Sequence, residues 1–207
     1  MTKFVCISDT HNQHYKLDLP KGDILLHAGD MTMMGRVDAI KRFNEYLGTL
    51  NYRKIVIIAG NHDWLFETQP KEAEKLITNA IYLKDSEIII DGIKIYGSPW
   101  QPWFGDWAFN LRRGLPLKKK WNLIPKDVDI LMTHGPPYSY LDKNFRGEYT
   151  GCQDLLYRIR VIAPKYHVFG HIHEGYGTAK EDKTTFINAS VVDVHYRMVN
   201  DPIVFEL

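Results

Sequence analysis

Five short segments of the 207-residue chain carry side chains that bind metals: Asp9-Thr-His11, Gly29-Asp30, Gly60-Asn61-His62-Asp63, His134-Gly135 and Gly170-His171-Ile-His173. Together they offer imidazole nitrogens, carboxylate oxygens and an amide oxygen, with no thiolate. That mixture suits two divalent cations of the manganese, iron or zinc kind, with magnesium as a further possibility, better than calcium, which favours all-oxygen shells. Two cations about 3.5–4 Å apart need a shared ligand, and a carboxylate can place one oxygen on each, which makes Asp30 the expected bridge. Asp9, His11 and His173 are then expected on one ion, and Asn61, His134 and His171 on the other. Water held between two such ions has its pKa lowered from about 15.7 toward about 7, so the expected chemistry is hydrolysis by a bridging hydroxide. His62 need not be a ligand. It is free to stabilise developing charge or to protonate a leaving oxygen, with Asp63 expected to fix its tautomer. Asn12 is a candidate for touching a phosphate oxygen or for capping its own loop.

The elements that must position these residues are legible as apolar runs. Phe4–Ile7, Asp23–Leu26, Lys54–Ala59, Ile130–Thr133 and His167–Phe169 read as buried strands, and each runs into one of the five segments. In an open α/β sheet the ligand crevice lies beyond the carboxyl ends of the strands, so segments far apart in sequence are expected to meet on one rim. Glycines before Asp30, Asn61 and His171 let the backbone approach the site closely. Val37, Ile40, Phe43, Leu47 and Leu50 recur at helical spacing and predict a helix over Arg36–Leu50. A second helix is expected after Pro70, and a third from Cys152 to Ala163, stopped by Pro164. From Glu87 onward the pattern changes. Glu87–Ile90 and Lys94–Gly97 flank an Asp91-Gly92 turn, and Thr184–Ala189 and Ile203–Leu207 are further strands of an expected mixed or antiparallel second sheet.

Composition sets the bounds. Hydrophobic residues at 44% and charged residues at 25% are ordinary for a globular protein, and the length fits one domain, residues 1–207. A formal net charge of +1 gives no large field to draw in nucleic acid or anionic lipid. Met1–Thr10 does not read as a signal or transit peptide, and no apolar run is long enough to span a bilayer. Cys6 and Cys152 form neither a disulfide framework nor a CxxC pair, which fits a reducing cytoplasm, and Cys6 reads as a small buried hydrophobe. Neither a protein nor a nucleic-acid partner is indicated, and the oligomeric state is open. The basic residues Arg112, Arg113 and Lys118–Lys120 read as a solvated face. The aromatic stretch containing Trp100, Trp103, Phe104, Trp107, Phe109 and Trp121 reads as a satellite core, with one or two rings reaching the pocket. His27 and His167 are expected in the core, His14 and His195 at the surface.

The ordered set of motifs resembles the calcineurin-like metallophosphoesterase superfamily. Gly97-Ser-Pro-Trp-Gln-Pro-Trp103, Thr133-His-Gly-Pro-Pro137 and His167-Val-Phe-Gly-His-Ile-His-Glu-Gly-Tyr-Gly177 are similar to its small members related to cyclic-nucleotide phosphodiesterases. The resemblance implies an α/β fold of the two-sheet αββα sandwich type and a dinuclear site at the sheet edge. It also implies a small phosphodiester substrate such as a cyclic nucleotide, with monoester and nucleic-acid hydrolysis, or a non-catalytic metal-bound scaffold, as alternatives. Many superfamily members carry an arginine soon after the second motif. Here Met31 to Gly35 intervene before Arg36, which is expected to open a helix instead. Some animal relatives have glycine in place of His171, and the histidine here implies a fully ligated second metal.

Overall fold

The computed structural model describes residues 1–207. In chain order the elements are β1 (Lys3–Ile7), β2 (Ile24–His27), α1 (Val37–Thr49), β3 (Lys54–Ile57), α2 (Trp64–Thr68), α3 (Pro70–Leu76), β4 (Ile81–Tyr82), β5 (Ser86–Ile90) and β6 (Ile93–Ser98). They continue with β7 (Gln101–Pro102), β8 (Asn110–Leu111), α4 (Leu115–Trp121), β9 (Ile130–Thr133), α5 (Gln153–Ile162), β10 (Tyr166–Phe169), β11 (Gly177–Glu181), β12 (Thr184–Asn188) and β13 (Ile203–Glu206).

Two mixed sheets form, in the orders β13-β1-β2-β3-β4 and β11-β12-β10-β9-β6-β5, and β7 pairs with β8 apart from them. Side-chain alternation along the strands explains how they stack. On β1 and β3, Val5, Ile7, Ile55 and Ile57 point to one core with Ile40, Phe43 and Leu47 of α1. Their neighbours Phe4, Cys6 and Val56 point the other way, into a core shared with Ile95, Ile130, Met132, Val168 and Ile187 of the second sheet. The second sheet's opposite face offers Tyr96, Leu131, Phe169 and Phe186 to Leu117 and Trp121 of α4 and to Leu155 and Ile159 of α5. Three apolar layers therefore separate four layers of structure, the αββα sandwich. Each buried Leu, Ile or Phe contributes about 1.5–3 kcal/mol, which is why continuous apolar runs end in the middle of such a stack.

The helices begin and stop as the residues dictate. Arg36 caps α1 in extended conformation and is exposed, Pro70 opens α3, and α5 ends at Ala163 in left-handed geometry before Pro164. The last strand departs from the sequence grouping. β13 joins the first sheet, antiparallel to β1, because Phe205 stacks on Phe4 with ring centroids 4.9 Å apart and on Tyr166 at 3.8 Å, closing an edge of the inter-sheet core. The helix α4 carries no visible amphipathic stripe in sequence, since only Leu117 and Trp121 are buried among three lysines and a proline. His14 also differs from expectation. It is buried, because its short helical turn packs on α1, with the ring 5.2 Å from Phe43 and 4.8 Å from Tyr46. His27 and His167 are buried in the core region, each with Nε2 against a threonine hydroxyl, Thr10 and Thr133.

What matters for function is strand direction. The strands β1, β2 and β3 run parallel, as do β6, β9, β10 and β12. The expectation of one rim on one sheet is thereby refined, because β9 and β10 belong to the second sheet. The carboxyl ends of strands from both sheets meet at a common edge, tied by a bridge between Ser8 and Ser190 and by a contact of His134 Nδ1 with the carbonyl of Ala28 at 2.9 Å.

Candidate metal centre

All seven expected ligands come together at that edge. Asp9, His11, Asp30, Asn61 and His134 are buried, and His171 and His173 are half-buried. Donor atoms of Asp9, His11 and His173 lie within 4.8 Å of one another, as do those of Asp30, His134 and His171. A third group, His11, Asp30 and His62, joins the two and brings His62 in.

Asp30 is the centrepiece by geometry. Its Oδ1 accepts the backbone N–H of His62 at 2.8 Å. Its Oδ2 faces Nε2 of His134 at 3.3 Å, of His11 at 3.9 Å and of His62 at 4.0 Å. Asp9 is arranged likewise. Its carboxylate takes the N–H of His171 at 3.0 Å and lies 3.7 Å from His173 Nε2. Burial works against the charge on both carboxyls, but the surrounding histidines outweigh it and hold both well below the usual carboxylate range. They are anionic at neutral pH.

The backbone aims the imidazoles. In a neutral imidazole a ring nitrogen that faces a carbonyl oxygen carries the hydrogen, which leaves the other nitrogen with the lone pair that a metal can take. Nδ1 of His134 faces Ala28 O at 2.9 Å, Nδ1 of His173 faces Asp193 O at 3.0 Å, and Nδ1 of His62 faces Met33 O at 2.8 Å. All three therefore turn Nε2 toward the carboxylates. This corrects the expected role of Asp63, since the carbonyl of Met33 fixes the His62 tautomer. Asp63 instead accepts from the N–H groups of Met31, Thr32 and Gly60 and from the Thr32 hydroxyl, stapling the Asp30 loop to the Asn61 loop. Burial and the nearby charge of Asp30 push its pKa up to about 6.

The donor set fits cations. His134 Nε2 stands 3.0 Å from Asn61 Oδ1 and 3.3 Å from Asp30 Oδ2, an arrangement that a proton on Nε2 or a cation among the three atoms balances. Burial alone disfavours a charged His134, yet Asp30 and Asp9 push its pKa up to about 9, and a cation at that point satisfies the same field. Both ring nitrogens of His11 are buried without a hydrogen-bond partner, while burial lowers its pKa to about 4, so it is a neutral imidazole with an uncommitted lone pair.

The local backbone is strained to make this possible. Asp9, His11, Asn12, Asp30 and His171 all have φ between 42° and 68°, the left-handed region that side chains with a Cβ rarely adopt. At Gly60 and Gly170 a Cβ would overlap the carboxylates of Asp30 and Asp9, so only glycine lets those strand ends approach. Asn12 has its amide oxygen buried and unpartnered beside His11.

Aromatic rings wall the mouth. Trp107 lies 4.3 Å from the His62 ring and Phe104 5.0 Å from that of His171, so two rings of the aromatic stretch reach the centre. Trp121 and Phe109 are core residues, and Trp100 binds Asp85 through Nε1. The basic stretch is only partly a solvated face: Lys120 pairs with Asp85 at 2.8 Å and Arg113 donates to the carbonyls of Thr150 and Gly151. Tyr196, absent from every motif, sets its ring 4.7 Å from His11 and 5.5 Å from His173. Nothing in its sequence surroundings marks it, because it arrives through a turn closed on the same Asp193 carbonyl that orients His173.

Residues 2–175 match the family described as calcineurin-like phosphoesterase. The chain belongs to that family. It is 47% identical over 231 residues to the human metallophosphoesterase domain-containing protein 1, covering 100% of this chain and 71% of the relative. It is 42% identical over 236 residues to the UPF0046 protein T07D4.2 of Caenorhabditis elegans, covering 99% of this chain and 60% of that one. The crystal structure of TT1561 of Thermus thermophilus has the same fold, with a TM-score of 0.61 at 14% identity over 90% of this chain and 88% of the other. As a calcineurin-like phosphoesterase the protein is a metal-dependent hydrolase of phosphate esters, and its Asp and His groups fit the two divalent metals typical of the family. No helix is long and apolar enough to cross a membrane.

Proposed function

We propose that this calcineurin-like phosphoesterase is a phosphodiesterase acting on cyclic nucleotides or similar small phosphodiesters, with two divalent cations, manganese first among them. The observation that carries this reading is Asp30 Oδ2 lying among the Nε2 atoms of His134, His11 and His62, with Asp9 and His173 beyond. Asp9, His11, Asp30 and His173 hold one cation, and Asp30, Asn61, His134 and His171 the other. When bound, the pair supplies the Lewis acidity that activates water near neutral pH and offsets charge on the phosphoryl group.

The chain's own residues do the rest. Asp30 and Asp9 keep the centre anionic, and the left-handed backbone at both residues presets where their carboxylates stand. His62 keeps a hydrogen at Nδ1 against Met33 O, so a proton it gives to the leaving oxygen is carried on Nε2, the atom turned toward the centre. Asn12, next to His11 in the chain, is assigned to donate from its amide nitrogen to a phosphoryl oxygen. A dianionic monoester calls for further fixed cations, whereas this mouth offers the rings of Trp107, Phe104 and Tyr196. That lining suits a monoanionic diester with organic groups on both oxygens. The same reading takes residues 1–207 as one catalytic domain working in the cytoplasm, consistent with Cys6 and Cys152 both being free and buried.

The manganese-loaded protein is expected to cleave bis-p-nitrophenyl phosphate and 2′,3′- or 3′,5′-cyclic nucleotides faster than the matching monoesters. Faster monoester hydrolysis across the panel overturns the diester assignment. His62→Ala is expected to keep two metals per chain while kcat falls by about 10²–10⁴-fold, more for a poor leaving group than for p-nitrophenolate. Loss of a metal in that variant makes His62 a ligand instead.

A further inference from the structure

Beside the metal centre, and open to it at His171, lies a cavity of about 380 Å³. Trp103, Phe104 and Phe145 line it, and all three are largely exposed, at 59%, 49% and 73%. Three exposed aromatic rings around one concavity are unusual on a protein surface, where large apolar side chains are scattered singly. They come from two loops far apart in sequence, so their gathering is not a by-product of one apolar run.

Nor is the exposure that of a slack loop. Phe145 sits at the tip of a short hairpin closed by an antiparallel bridge between Lys143 and Tyr149. Inside it, Asn144 Oδ1 accepts the N–H groups of Arg146 and Glu148 at 2.9 and 3.1 Å, fixing the turn. The hairpin's base is held by Asp142, which takes the N–H groups of Ser139 and Gly151, and by Arg113 on the carbonyls of Thr150 and Gly151. On the facing loop, the N–H of Trp103 donates to Leu111 O at 2.8 Å. Both loops are built to hold rings out of the core, at a cost in exposed apolar surface that folding alone does not require.

We propose that this cavity is the subsite for a planar aromatic group of the ester, a nucleobase, with Phe145 and Trp103 as its stacking surfaces and Phe104 joining it to the metal centre. The inference rests on the phosphodiesterase reading and adds where the base lies and which residues select it. A volume of 380 Å³ is at the lower end of small-molecule sites, sized for one ring system rather than for a polymer. Stacking on an aromatic side chain is sequence-tolerant, since every base has a π-face, so the subsite distinguishes nucleotides from aliphatic diesters more than one base from another.

Two measurements test it. In the first, kcat/KM is compared for 2′,3′-cyclic AMP and for glycerol 1,2-cyclic phosphate, which has no ring to stack. Phe145→Ala is expected to lower the ratio of the two about ten-fold, mainly through KM for the nucleotide, as loss of one stacking contact does. An unchanged ratio overturns the subsite, while failure of the wild-type protein to cleave either diester overturns the functional reading instead. The second needs no turnover: adenosine titrated into the chelator-treated protein is expected to quench tryptophan fluorescence saturably. The saturable part is expected to vanish in Trp103→Phe and to require about ten-fold more adenosine in Phe145→Ala. Equal quenching in all three proteins overturns the assignment.

Discussion

The two sheets contribute different chemistry to the centre. The first supplies both carboxylates, Asp9 and Asp30, and the amide of Asn61, from loops whose ligands sit in left-handed backbone at Asp9, His11 and Asp30. The second supplies only imidazoles, His134, His171 and His173. The carboxylate half therefore stores the anionic charge and most of the backbone strain, which in the second half falls on His171 alone, while the imidazole half is aimed largely by carbonyl oxygens, Ala28 O for His134 and Asp193 O for His173. Neither half can hold two cations alone. The first lacks enough neutral donors, and the second has no charge to offset a dication. A centre divided in this way makes metal binding a clamp across the inter-sheet core as well as a catalytic device.

The largest expected effect breaks the anionic half. Asp30→Ala removes the only oxygen facing three imidazoles, so bound metal is expected to fall from two per chain to one or none and diester hydrolysis by about 10³-fold. Metal analysis with steady-state kinetics reads both, and full occupancy with full activity contradicts the division between the halves. Asp63→Asn tests the staple rather than the ligands. The amide turns a donor toward the N–H groups that Asp63 now satisfies, so unfolding by urea is expected to show a loss of about 1–3 kcal/mol. Metal affinity is expected to drop by about 10–100-fold in the same variant. Chelation tests the clamp itself. At free metal 100 times the dissociation constant, binding adds about 2.7 kcal/mol to stability, and the melting temperature of the chelated protein is expected to fall accordingly. A melting temperature indifferent to chelator means that the sheets do not need the metals.

The smallest effect lies away from the centre, at His14, and gives the comparison its control. Burial, aided by the charge of Arg42, lowers its pKa from 6.5 to about 4. The unfolded chain therefore takes up this proton first, so stability is fully present above pH 6.5 and is lost as pH falls from about 6.5 toward about 4. In chelator, His14→Phe is expected to flatten that acid limb of the melting-temperature profile, with His14 packed on Phe43 and Tyr46 offering room for a ring. An unchanged limb assigns the acid sensitivity to other groups.

Much of this was written locally. Short apolar runs and helical spacing named β1, β2, β3, β9, β10, α1 and α5 because strands buried on both faces need continuous apolar residues and a helix at the surface needs a stripe. The five metal-type segments were legible because each stands directly after such a run, and glycine next to a ligand records a close approach that no other residue permits. Local sequence says nothing about partners brought in from elsewhere. That β13 crosses to the first sheet, that Met33 O and not Asp63 orients His62, and that Tyr196 walls the centre all depend on contacts across dozens to hundreds of positions. Residue types and their order determined which atoms are available to hold cations. Only the packing of one sheet on the other decided which lone pairs face each other, because a hydrogen bond or a shared ion is set by position in space and leaves no periodic trace along the chain.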